Sequence, residues 1–317
     1  MAVDLDDAPT APPGLTAAAA SLPFVIVGLR TGDRDPGSIA PADPGWLEFI
    51  DVVVDPSQGE AGDVEATLAA NPRASTTLAL LLRGSGRRTV ADGLVAESAA
   101  YSTLQAGPEF ARWRAEHPIR RRVDVAEPRT RCYRHGAVLE VVLTRPAAAN
   151  ALDFHMRDQL HDALLVALAD PTIEQVVLSG EGPSFCSGGD LDEFGSRPDP
   201  SSAHLARLHR SPARLLAALG PRLTARVHGN CMGSGVELPA FAGHVEAKPD
   251  ACFALPEIAL GLVPGAGGTV SLPARIGPHR TAWLALTGRS INAATALSWG
   301  LVDEVIGVEA QNQLPPR

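Results

Sequence analysis

Lysine is almost absent from this chain of 317 residues. Lys248 is the one lysine, so arginine carries nearly all of the positive charge. A Schiff-base mechanism would have to use that residue, and no motif surrounds it. Cysteine is also scarce: the four are Cys132, Cys186, Cys231 and Cys252. They show no metal-ligand spacing and no CxxC pair, and are read as reduced, partly buried thiols of a cytoplasmic protein. His155 and His161 stand six apart on one helix, which does not suit a shared metal, so no metal is expected. Neither a Rossmann GxGxxG nor a Walker lysine motif is present. The apolar stretch around residues 17–29 is interrupted by Ser21 and Pro23 and falls short of the ~20 residues needed to span a bilayer. Asp4, Asp6 and Asp7 argue against a secretory signal. The net charge of −9 argues against nucleic acid as a general partner. No membrane partner is expected either.

What is present fits a soluble globular protein, with 45% apolar and 20% charged residues. The length allows one large domain or two small ones. Residues 1–46 read as a mobile tail, a short strand (24–29) and a loop rich in Gly, Pro and Asp. Residues 47–120 read as mainly helical after a strand at 50–54, with helices at about 61–71, 74–83, 89–104 and 108–116. In the third, Val90, Leu94, Tyr101 and Leu104 fall at helical spacing. Residues 121–136 read as a connector, part of a basic extended run from Arg120 to Arg131. From 137 to 317 strands and helices alternate: strands at 137–143, 175–178 and 223–227, helices from about 153 and over 201–219. Repeated β-α-β units imply an α/β fold with a mainly parallel sheet and right-handed crossovers.

Two small-residue loops each follow a strand. One reads Phe185-Cys186-Ser187-Gly188-Gly189-Asp190-Leu191. The other runs from His228-Gly229-Asn230 through Cys231-Met232-Gly233-Ser234-Gly235-Val236 to Glu237-Leu238. A third segment reads Pro256-Glu257-Ile258-Ala259-Leu260-Gly261-Leu262-Val263-Pro264-Gly265-Ala266-Gly267-Gly268-Thr269. Small residues let backbone N–H groups approach a ligand oxygen, and two such groups aimed at one carbonyl form an oxyanion hole. Two carboxylates nearby can then move protons. The set implies chemistry on an activated acyl group.

These segments resemble the signature of the enoyl-CoA hydratase/isomerase (crotonase) family. The resemblance begins near Val141-Val142-Leu143-Thr144-Arg145-Pro146 and Asn150-Ala151-Leu152, and runs to Trp299-Gly300-Leu301-Val302-Asp303-Glu304-Val305, about half the chain. It implies a crotonase-like ββα superhelix with an additional helical region. By motif position it implies oxyanion-hole N–H groups at Gly189 and Ser234 and acid/base roles for Glu237 and Glu257. It also implies substrate contacts at Ser187, Asp190, Leu191, Ala151, Leu152, Arg145 and Gly265, the last where the family's backbone helps hold the reacting water. The substrate is then an acyl-CoA thioester. No cofactor is expected beyond the coenzyme A that the substrate carries. Family members are commonly trimers or paired trimers, so the expected partner is a second copy in a homo-oligomeric trimer or hexamer.

For several residues two roles stay open. Asp190 caps local backbone N–H groups or meets substrate, and Arg145 meets a phosphate or faces solvent. Tyr101 is a core aromatic or lines the acyl pocket. The basic run before residue 131 is a solvated linker or approaches the CoA phosphates. His228 and Asn150 read as structural. Residues 50–56, 70–83, 93–97 and 107–110 resemble the family's C-terminal tail, here at the front of the chain. Residues 47–120 are therefore read as a circularly permuted crotonase tail, against the alternative of an unrelated helical domain. Hydration of an α,β-unsaturated acyl-CoA is the leading activity. The alternatives are an enoyl-CoA isomerase, a cofactor-independent arylacetyl-CoA oxygenase, and a catalytically silent acyl-CoA-binding or assembly protein.

Overall fold

The computed structural model describes residues 1–8, 10–12, 14, 22–32, 44–120, 127–197 and 199–307. Two compact units account for them. One is built from Met1–Pro118, Arg197–Leu208 and Leu255–Arg289, the other from Ile119–Ser196, His209–Ala254 and Ser290–Arg317.

In the first unit, β1 (Ala2–Asp4), β2 (Val27–Leu29) and β3 (Val52–Val54) form a parallel sheet in that order. Three consecutive valines, all buried, make β3 a strand covered on both faces. Leu5, Ile26, Phe49, Ile50 and Val53 form one apolar cluster. Helices then run over Glu60–Ala70, Pro72–Arg83, Val90–Gln105 and Pro108–Glu116. Proline opens two of them, where its missing N–H costs nothing. The Asn71 side chain does not cap the Pro72 helix. Glu109, buried and 35 positions on, accepts the Arg73 and Ala74 N–H groups at 2.9 and 3.0 Å instead. A further helical run, Gly268–Thr287, breaks at Gly277 (φ 81°, ψ 160°), and Pro278 starts its second half. It packs against β3 and the first two of those four helices.

Asp51 ties this unit together. Its carboxylate takes Nε and Nη2 of Arg83, each at 2.7 Å, and the Ile26 N–H at 2.8 Å. The same guanidinium donates to the Leu22 and Phe24 carbonyls. Removing the arginine leaves a buried, half-satisfied carboxylate. Arg83→Met should therefore lower stability by about 3–5 kcal/mol, read as a fall in the urea midpoint.

The second unit carries a six-stranded sheet in the order β12-β9-β7-β6-β5-β4. Its strands are β4 (Thr130–His135), β5 (Val138–Leu143), β6 (Gln175–Gly180), β7 (Leu223–Val227), β8 (Asn230–Met232), β9 (His244–Ala247), β10 (Cys252–Ala254), β11 (Ile291–Asn292) and β12 (Glu304–Val305), of which β8, β10 and β11 form a second sheet. All pairs in the larger sheet are parallel except β4–β5. The chain passes from β7 into β8 and from β9 into β10, adding one strand to each sheet per turn. A backbone β-bridge between residues Cys186 and Cys231, both free thiols, joins the segment after β6 to the smaller sheet. This is the ββα superhelix of a crotonase fold. The helix Phe154–Ala169 starts at Asp153, whose side chain accepts the Met156 N–H, and buries Leu160 and Leu164; Leu168 is only half-buried.

Several expectations change. Residues 2–4, assigned to a tail, pair with β2. Pro44–Leu47, inside the assumed loop, is a helical turn. Thr130–His135, assigned to the connector, is the antiparallel edge strand β4. Its charged, exposed side chains hid it, because arginine on an edge reads like a linker while blunting that edge. The single helix over 201–219 is two, Pro200–His209 and Pro212–Leu219. The Ser211-Pro212 step begins the second, with Ser211 capping the Arg214 N–H. Residues 9, 13 and 15–21 of the tail, 33–43 of the loop, 121–126 of the connector and 308–317 of the core lie outside the described residues.

Candidate active site

In the second unit the two small-residue loops lie against each other. Cys186 exchanges backbone hydrogen bonds with β8, donating to the Asn230 carbonyl at 3.2 Å and accepting from the Met232 N–H at 3.0 Å. A Cβ on Gly235 would sit 2.2 Å from the Cys186 carbonyl oxygen, so only glycine permits this approach. Gly233 then turns the chain (φ 51°, ψ −119°) into the helical turn Ser234–Glu237. That turn is four residues long and passes into a 3-10 turn at Pro239–Phe241. Pro239 has no N–H and cannot continue the ladder.

Gly189 and Ser234 each present a backbone N–H that has no hydrogen-bond partner among the described residues. Several nearby N–H groups are used: Ser187 donates to Ala149, Asp190 to Leu152, Gly233 to Ala254, and Val236 and Glu237 to Gly233. The Ser234 hydroxyl lies 3.7 Å from Cys186 Sγ. Burial pushes the Cys186 thiol up, so it stays neutral beside that hydroxyl. Glu237, in the same turn, is 2% exposed.

The remaining expected contacts of this unit fall on or around the first loop. Leu152 pairs with Gly188 and Asp190 through backbone bonds of 2.8 and 3.0 Å. Ala151 is buried, and Ser187 and Leu191 are exposed. Asp190 does two things: it accepts the Asp192 N–H at 3.1 Å and the Arg145 guanidinium at 2.7 Å. Arg145 also lies 3.4 Å from Asp153 and donates to the Ala151 carbonyl. It is turned inward, not toward solvent. Asn150 (φ 53°) anchors the same corner by bonding the Arg145 N–H and the Glu181 and Ser184 carbonyls. His228 meets the Gly182 carbonyl at 2.8 Å, a loop-to-loop tie.

The first unit holds the other expected residues. Glu257 opens the 3-10 turn Glu257–Leu260. Its Oε2 is buried with no hydrogen-bond partner among the described residues. Burial pushes its pKa from 4.5 to about 8, and the charge of Glu97 adds to that rise. Glu257 thus keeps its proton at neutral pH. Gly265 lies against the Tyr101 ring, where a Cβ would come within 2.5 Å of the ring edge. Tyr101 is buried, with the Arg207 guanidinium 4.5 Å over its face.

Sequence reasoning missed Glu97. It is 2% exposed and accepts the Gly267 and Thr269 N–H groups and the Thr269 hydroxyl at 2.7–2.8 Å. One signal was available. Glu97 falls on the same helical stripe as Leu94, Tyr101 and Leu104, all buried, whereas Val90, counted with that stripe, is exposed.

Among the described residues no group of three His, Cys, Asp or Glu is arranged to hold a metal ion. No helix there is long and apolar enough to cross a membrane.

Comparison with known proteins agrees with this architecture. The family model described as enoyl-CoA hydratase/isomerase matches residues 133–313. The chain is 33% identical over 172 residues to a carnitinyl-CoA dehydratase of Proteus mirabilis, covering 54% of this chain and 65% of that protein. It is 38% identical over 172 residues to a 2,3-dehydroadipyl-CoA hydratase of Escherichia coli, covering 54% and 67%. An enoyl-CoA hydratase structure from Thermoplasma volcanium superposes with a TM-score of 0.51 at 34% identity, covering 57% of this chain and 72% of that one. The chain belongs to the enoyl-CoA hydratase/isomerase family. It spans just under two thirds of the length of the Proteus relative.

Proposed function

We propose that this protein is an enoyl-CoA hydratase, adding water across the double bond of an α,β-unsaturated acyl-CoA thioester. Addition builds negative charge on the thioester oxygen as an enolate. The Gly189 and Ser234 N–H groups donate hydrogen bonds to that oxygen; Glu237 takes the proton of the attacking water, and Glu257 delivers a proton to Cα. The observation that carries the reading is that the Gly189 and Ser234 N–H groups have no hydrogen-bond partner among the described residues, with buried Glu237 in the turn that Ser234 opens. The raised pKa of Glu257 supports its role as the acid, since an acid must hold its proton at working pH. Two glutamates favour hydration over double-bond migration, which one can shuttle alone. Coenzyme A enters only as part of the substrate. Residues 47–120 belong, in this reading, to the displaced family tail. Their helices share a compact unit with Leu255–Arg289, the segment carrying Glu257.

Crotonyl-CoA tests the proposal. Loss of the enoyl absorbance on adding enzyme is the expected result. A chain that leaves the absorbance unchanged while binding the thioester would instead be a silent binding protein.

A further inference from the structure

The inference concerns Arg145 and Asp190 and rests on the reading of the Gly189 N–H as an oxyanion donor. The family resemblance gives both side chains a substrate contact. In the structure they bond each other at 2.7 Å and are only 11% and 5% exposed.

The Gly189 N–H belongs to the Gly188–Gly189 peptide. In a planar trans peptide the N–H points opposite to the C=O. The Gly188 carbonyl accepts the Leu152 N–H at 2.8 Å. That bond turns the Gly189 N–H away from Leu152, where it has no hydrogen-bond partner among the described residues. The Asp190 N–H donates back to the Leu152 carbonyl at 3.0 Å. Two adjacent glycines have wide backbone freedom, and Gly188 sits at φ 100°. The direction of this N–H therefore depends on how firmly Asp190 is held to residues 151–152.

Arg145 joins the two segments. Its Nη1 donates to the Ala151 carbonyl at 3.0 Å and to Asp190 Oδ2 at 2.7 Å, one contact beside each partner of that backbone pairing. Asp190 Oδ1 accepts the Asp192 N–H, and the Arg145 N–H donates to Asn150 Oδ1. The other acids of this corner have tasks of their own. Asp153, 3.4 Å from Arg145, accepts the Met156 N–H and lies 3.4 Å from Arg129. Glu193 accepts the Phe154 N–H at 2.8 Å. Asp190 is thus the acid through which Arg145 reaches the loop.

We propose that Arg145 and Asp190 are positioning residues for the oxyanion donor: their buried ion pair locks the Gly188–Gly189 peptide with its N–H presented to the thioester oxygen, and they act through that peptide rather than on coenzyme A.

Butyryl-CoA carrying 13C at the thioester carbonyl is the probe. It lacks the double bond, so it is not hydrated. N–H donors polarise a carbonyl, and its infrared stretch falls. At saturating probe, wild type should lower the stretch below its value in water. Arg145→Gln and Asp190→Asn should each return it part of the way. Combining them should add little, because both break one clamp. With crotonyl-CoA, kcat should fall by about 10²-fold in Arg145→Gln, the cost of a misplacement of about 1 Å, while KM stays nearly unchanged. Asp190→Asn is isosteric and decides the matter if Arg145→Gln does not fold. Folded variants with the wild-type stretch and kcat overturn the proposal, whatever their urea midpoint. A wild-type stretch with weakened probe binding in Arg145→Gln also overturns it, making Arg145 a substrate contact. A wild type that leaves the stretch at its value in water ends the oxyanion-hole reading, and the clamp with it. A lowered stretch without hydration of crotonyl-CoA fails only the hydratase reading, because the probe reports polarisation without turnover.

Discussion

Glu257→Gln should lower kcat for crotonyl-CoA hydration by about 10²–10⁴-fold, the usual contribution of a positioned acid or base. KM should change little, because the lost step is proton delivery and not thioester binding. The substitution is close to isosteric, so the urea midpoint should stay near that of wild type. The pH profile carries the sharper signature. An acid must be protonated, and Glu257 loses its proton as pH rises through about 8, so wild-type activity should fall there. In Glu257→Gln that limb should vanish. A variant with full activity, or with the same alkaline limb, would remove Glu257 from the mechanism.

Ser234→Pro should cost about 10²–10³-fold in kcat, the cost of losing one oxyanion donor. The position suits the experiment, because Ser234 is the first residue of a helical turn, where proline is tolerated; the substitution removes the N–H together with the hydroxyl. Ser234→Ala is the companion variant. If the donor is the backbone, alanine retains activity and the hydroxyl is incidental. Loss of activity in both would transfer the role to the hydroxyl and its neighbour Cys186. Steady-state kinetics on the three proteins separate these outcomes.

Much of the fold was legible because its signals are local. The valines of β3, the prolines opening helices and the small residues after β6 and β7 announce themselves within a few positions. The four helices between 60 and 116 fall within two residues of where periodicity puts them. The contact between the loops at 185–191 and 228–238 follows from two runs of small residues after parallel strands. What escaped was set by distant partners. Strand β4 is a strand because β5 offers it an edge, and its own residues are polar. Glu97 is buried because a helix start 170 positions later offers three donors. Glu109 plays the same part for the Pro72 helix. A carboxylate used as a long-range cap has no spacing rule, so sequence alone assigns it to solvent. The inward turn of Arg145 escaped for a similar reason, since both aspartates that hold it come from other segments.

Incubating the protein with crotonyl-CoA in H2 18O, with mass spectrometry of the thioester, asks most directly whether water is added. The account predicts a hydroxyacyl-CoA that has gained one water, its new oxygen drawn from the labelled solvent, formed by wild type and nearly lost in Glu237→Gln and Glu257→Gln. An unchanged thioester mass, or hydration that survives the loss of either glutamate, would contradict it.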